Sequence, residues 1–103
     1  MSAPIKPGSR WQSVACDTQV VVVRPPTVEV DLRCGGASMV PVDDSVDRVA
    51  LDAAFAEGTL LGKRYTDDET AIEVLCTTPG AGSLSIGDRR LTMKQAKPLP
   101  SSD

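Results

Sequence analysis

WQSVACDTQVVVVRPPTVEVDLRCGGASM, residues 11–39, is the stretch whose reading decides the fold. Val20 to Val23 is a β-branched run of the kind that forms a strand covered on both faces. Arg24-Pro25-Pro26 ends it, because proline has no N–H to give to a ladder. Val28, Val30, Leu32 and Cys34 then alternate with Glu29, Asp31 and Arg33, a period of two that puts one face inward and the other in water. Gly35-Gly36 permits positive φ and so a sharp corner after that strand.

Working outward, Met1 to about residue 10 reads as a flexible lead-in and residues 98–103 as a flexible tail. Between them, about residues 11–97, lies a single β domain. The segment from about 44 to 57 is the one helix candidate. Asp44 or Ser45 caps it, Val46, Val49, Ala50 and Ala53 share a face, and Gly58 stops it. A second β half follows, with strands expected over residues 60–65, 71–77, 83–86 and 90–93. Turn clusters at 66–69, 79–82 and 87–88 separate them. Its Leu60 and Leu61 count as strand residues and Asp67 as part of a solvated turn, where substitution by alanine costs within ~0.5 kcal/mol.

Sliding the sequence by 52 positions lays Thr18–Met39 on Thr70–Leu91 without a gap. Val22 falls on Val74, Leu32 on Leu84, Cys34 on Ile86, Gly35 on Gly87 and Met39 on Leu91. The expectation is two similar β halves, about residues 11–41 and 59–93, joined by the helix and packed face to face. The fold class is therefore mainly β, a small antiparallel barrel or sandwich.

Composition narrows function by exclusion. In 103 residues the only aromatics are Trp11, Phe55 and Tyr65, so the core is built of small aliphatic side chains with little room for a large cavity. A net charge of −3 offers no electrostatic footing for nucleic acid or an anionic membrane. No stretch approaches the ~20 apolar residues of a membrane span, and the start of the chain lacks the apolar region of a secretion signal. A cytoplasmic location is the expectation, with the three cysteines as thiols or ligands rather than a disulfide framework.

The first half carries a resemblance. Its run C-x-x-x-V-x-V followed by L-x-C-G-G-x-x-M resembles the desulforedoxin family, which includes the N-terminal domain of desulfoferrodoxin. Cys16 falls on the second cysteine of that family's first pair. Cys34, Gly36 and Met39 fall on the closing motif, and Val20 and Val22 on the apolar strand. Ser13 stands at the first cysteine, Asp17 at the following glycine and Gly35 at the fourth cysteine, so the four-cysteine iron or zinc centre does not carry over. The resemblance implies a small β unit, normally paired as a homodimer, with the second half here supplying the partner.

The chemistry then rests on Cys16, Cys34 and Cys76. Each sits on the apolar side of its strand, where a cysteine packs as a small hydrophobe. The functional alternatives are a metal site, zinc or iron, drawing on these three sulfurs, or a redox pair of Cys16 with Cys34. With no histidine in the chain, imidazole ligation and His-based catalytic triads are ruled out. The carboxylates Asp43, Asp44, Asp67, Asp68 and Glu69 fall in turns, where Asp is favoured for backbone reasons. Gly35-Gly36 is followed by no Lys-Ser/Thr, so it is no phosphate loop. The leading expectation is a non-catalytic binding or accessory module that meets a partner protein or a second copy of itself without a cofactor. A degenerate desulforedoxin-like metal or thiol redox protein is the alternative.

Overall fold

The computed structural model describes residues 5–94. Among these residues ten short strands form, five in each half. The first half holds β1 (Arg10–Gln12), β2 (Gln19–Arg24), β3 (Leu32–Cys34), β4 (Ala37–Ser38) and β5 (Val40–Pro41). The second holds β6 (Arg64–Thr66), β7 (Glu73–Thr78), β8 (Leu84–Ile86), β9 (Arg89–Arg90) and β10 (Thr92–Met93). They form two antiparallel sheets, in the orders β10-β6-β7-β2-β1-β5 and β4-β3-β8-β9. β5 and β10 lie at opposite edges of the larger sheet, so no closed barrel forms among the described residues.

Each sheet order reads the same from either end once the halves are exchanged. The hydrogen bonds repeat as well. Met39 N–H donates to Leu32 O and Leu91 N–H to Leu84 O, at 2.8 and 3.0 Å. Gly35 N–H donates to Ser83 O while Gly87 N–H donates to Asp31 O, both at 3.0 Å. Across the junction, Arg33 faces Ser85, its counterpart 52 positions on.

The larger sheet follows a different shift. Trp11 pairs with Val20 and Tyr65 with Val74, which makes Trp11 equivalent to Tyr65 and Val20 to Val74, 54 positions apart. The central ladder agrees. Val21 faces Leu75, and the pairing skips one residue on each strand, at Val23 and at Thr77. The 52-residue alignment is thus displaced by two on β2, because the β2–β3 connection is two residues longer than the β7–β8 connection. A slip of two keeps every side chain on its own face, so the apolar match survived the wrong register.

One contiguous core draws on both sheets: Trp11, Val20, Val22, Leu32, Cys34 and Met39 from the first half, Tyr65, Ile72, Val74, Cys76, Leu84 and Leu91 from the second. Ile5 packs against it, and Gly8 N–H and Ser9 O bond to Val22, so the part of the expected lead-in from Ile5 lies along β2. The expected tail, 98–103, lies outside the described residues.

The expected helix does not form. Only Ala53–Phe55 takes one 3₁₀ turn, capped by Asp52, whose carboxylate accepts from Ala54 N–H at 2.9 Å. Val46 and Val49 are poor helix formers, and the apolar face was too thin to repay folding a short helix. The segment instead crosses the first half as a strap: Val49 N–H donates to Val14 O and Asp52 N–H to Gly35 O, at 2.9 and 3.0 Å. Two expected strands are also shorter. Val28 and Leu60-Leu61 lie outside the ladders and are exposed, Leu61 by 64%.

Candidate functional site

The β1–β2 turn and the corner after β3 meet under the strap, and they bring Cys16 and Cys34 together. The two Sγ atoms are 3.8 Å apart. The local cause is Ser13, whose Oγ accepts from the N–H groups of Ala15 and Cys16 at 3.0 and 3.1 Å and folds the turn around itself. Ser13 N–H bonds across the turn to Thr18 O at 2.8 Å, which lines β2 up with β1. Gly35 and Gly36 both have positive φ, 67° and 87°, and this bends the chain beside Cys34.

The environments of the two sulfurs differ. Cys34 is fully buried, and burial, joined by the nearby Cys16 sulfur, pushes its thiol up to about 12. Cys16 is also buried, which alone would raise it. It is held instead at about 7, because the Ser13 and Thr18 hydroxyls and the Thr18 and Gly82 N–H groups stabilise the thiolate. Thr18 Oγ1 lies 3.2 Å from Cys16 Sγ, and Gly82 N–H donates to that sulfur at 3.3 Å. The 79–82 turn can come this close only because it is glycine-rich. A Cβ on Gly80 would stand 3.0 Å from Cys16 Sγ, and one on Gly82 would stand 2.8 Å from Gly35 N.

Only Cys16 of the pair lines an open groove of ≈ 490 Å³, together with Gln12, Thr18, Gln19 and Arg48. At its mouth Arg48 Nη2 donates to Asp17 Oδ1 at 3.0 Å.

Cys76 is on β7 opposite Val20, buried, with its Sγ donating to Thr78 O at 3.2 Å, and burial raises its thiol. No group of three or more Cys, Asp or Glu is arranged to hold a metal among the described residues. The iron or zinc centre implied by the resemblance can be tested against the donors present. The 3.8 Å sulfur spacing equals the edge of a tetrahedron with Zn–S bonds of about 2.3 Å. The other two corners fail. Ser13 Oγ is spent on two backbone N–H groups. A Cβ at Gly35 would stand 2.6 Å from Leu51 Cδ1 and 3.0 Å from Ala15 Cβ, so strap and turn fill the space of a fourth ligand. A four-thiolate tetrahedral centre does not fit.

The equivalent corner of the second half holds different chemistry. Asp67 takes the place of Ser13, again with its N–H bonded five residues on, to Ile72 O at 3.1 Å. Thr70 and Ile86 replace Cys16 and Cys34. Asp67 is buried, which corrects the solvated-turn expectation: Arg89 grips its carboxylate with two bonds of 2.8 Å, and Thr70 adds its N–H and hydroxyl. The Arg89 bonds, outweighing burial and helped by Thr70, hold Asp67 at about 2.

Asp43, Asp44, Asp68 and Glu69 are exposed, as turn residues should be. Three arginines of the second half are paired with carboxylates: Arg64 with Glu73, Arg89 with Asp67 and Glu69, and Arg90 with Glu57. Sequence reasoning missed Ser13, Thr18 and Gly82 as partners of Cys16. The signal was present in Ser13, three residues before Cys16 like the first member of a C-x-x-C turn, and in the paired glycines at 80 and 82.

Fold and site together define a small protein of two antiparallel sheets with a close, unequal pair of thiols. Comparison with protein-family models, with curated proteins and with solved structures finds no match.

Proposed function

We propose that the chain is a thiol–disulfide module in which Cys16 attacks and Cys34 resolves. The carrying observation is the 3.8 Å approach of two sulfurs of which only Cys16 lines an open groove. Attack needs a thiolate, and Cys16 is half ionised near neutrality. Burial keeps Cys34 protonated, and capping Cys16 removes the neighbouring negative charge that adds to that effect. A shift of about 1.8 Å then brings the sulfurs to bonding distance, taken from an S–S length of ≈ 2.05 Å. The symmetric halves and the Ser13–Cys16 turn support the likeness to the desulforedoxin family, with the homodimer's partner supplied within one chain. They support no metal role. A reducing compartment such as the cytoplasm suits a cycling pair.

The test is a redox titration of the full chain, followed by mass and peptide mapping. The expected product is a Cys16–Cys34 disulfide with Cys76 still a thiol. Thiols persisting at both positions under oxidising buffer would remove the reading.

A binding-module reading has its own support in Leu60 and Leu61, 54% and 64% exposed side by side beside the turn at Gly62. Two adjoining exposed leucines suit a protein partner or a second copy. Sedimentation of wild type against Leu60→Ser/Leu61→Ser tests self-association. A monomer at every concentration removes the second-copy form of the idea.

A further inference from the structure

The groove beside Cys16 is small. Its ≈ 490 Å³ is the size of a site for a small molecule. Cys16 is only 7% exposed at its floor, so a disulfide fixed on a broad protein surface would have to open the rim to reach it, whereas a slender molecule need not. Two opposite charges meet at the mouth, Arg48 and Asp17, whose side chains are 55% and 78% exposed. An ion pair that open to water contributes little to stability, so both groups are free to exchange each other for a ligand. A ligand carrying a carboxylate and an ammonium on one carbon presents the complementary charges to that pair, and its side chain then points toward the sulfur. Gln12 serves the rim by holding the strap: its Nε2 donates to Pro41 O, Val42 O and Asp44 O, which positions the chain leading to Arg48.

Resting on the thiol–disulfide reading, we propose that the groove takes the disulfide of a zwitterionic amino-acid thiol, with Arg48 on the carboxylate and Asp17 on the ammonium. The Cys16 thiolate attacks one sulfur of the disulfide. That S–S bond breaks, the departing thiolate takes a proton from water, and Cys16 is left in a mixed disulfide. Cys34 then attacks the Cys16 sulfur, its proton passing to the second amino-acid thiolate, which leaves as the thiol. In sum, a protein dithiol and one small disulfide become a protein disulfide and two small thiols, with two electrons passing to the ligand.

The test uses three disulfides: cystine, zwitterionic at each end; dithiodipropionate, anionic; and cystamine, cationic. The rate of Cys16 mixed-disulfide formation is read by intact mass on the Cys34→Ser chain. It is divided by the rate of the same thiol in the urea-unfolded chain, which cancels intrinsic reactivity. Cystine is expected to exceed both others by about fivefold, the factor that goes with roughly 1 kcal/mol of an exposed charge contact. Arg48→Gln should abolish the advantage over cystamine, and Asp17→Asn the advantage over dithiodipropionate. Equal normalised rates, or an advantage that outlives both substitutions, overturn the inference while leaving the module reading intact. If redox buffer fails to join Cys16 to Cys34 in the unaltered chain, the module reading itself falls and this inference with it.

Discussion

The corner at Ser13–Cys16 and the corner at Asp67–Thr70 share a backbone plan and almost nothing else. Both turn at a residue whose N–H reaches five residues ahead, and both stand beside a glycine corner, at Gly35 and at Gly87. One encloses two sulfurs beside an open groove, and the other is filled by a buried carboxylate and a half-exposed guanidinium. The difference teaches that strand pairing and inward apolar positions fix this scaffold, while a few turn residues decide what chemistry it carries.

The sharpest way to break the comparison is to truncate equivalent core residues. Leu32→Ala and Leu84→Ala remove the same group on either side of the junction, where both leucines are nearly fully buried. Each should cost about 2–4 kcal/mol in denaturant titration, and the two losses should be alike. A large loss on one side alone would mean that the halves do not share the core equally.

The second corner makes the next largest prediction. Asp67→Asn removes the charge that Arg89 grips and should cost about 2 kcal/mol, the scale of a charged hydrogen bond. The linked pH effect follows from the lowered carboxyl. A free aspartate titrates near 3.9. Asp67 titrates at about 2 when folded, so its contribution is complete above about pH 4 and fades as pH falls toward 2. Wild type minus Asp67→Asn, followed by thermal melts from pH 5 to 2, should shrink across that window. A constant difference would show that the ion pair contributes nothing specific.

Much of this was legible in the chain. The alternation from Val30 to Cys34, the corner at Gly35 and the match of Leu32 with Leu84 placed β3, β8 and their shared core side. Cys16 and Cys34 were legible as candidates through the desulforedoxin-like pattern, and the structure places them side by side. Three things were hidden. The register of β2 was displaced by two because a shift of one full pleat leaves the apolar pattern intact. The strap was mistaken for a helix because Val46, Val49 and Ala50 have helical spacing, whereas its backbone partners, Val14 O and Gly35 O, lie far off in sequence. Asp67 looked like any turn aspartate, since its partner Arg89 belongs to another strand.

The smallest effect sharpens the first corner. Cys16 owes its ionisation to hydroxyl and N–H donors that outweigh burial, so its alkylation by iodoacetamide should rise with pH around a midpoint of about 7. Thr18→Val takes away one hydroxyl from the sulfur and should move that midpoint upward. Because Thr18 Oγ1 also bonds Thr59 Oγ1 at 2.7 Å, the variant leaves that buried hydroxyl one partner short. A cost of about 1 kcal/mol is expected, with the β scaffold retained. The sign matters more than the size. A thiol lowered by folding stabilises the fold above its unfolded value near 8.5 and loses that contribution as pH falls through 7. Thr18→Val should therefore be penalised more at pH 9 than at pH 6. Asp67, at the matching corner, is already fully ionised through that range. A penalty equal at both pH values would mean that the hydroxyl serves packing alone, and that the two corners differ less than their chemistry suggests.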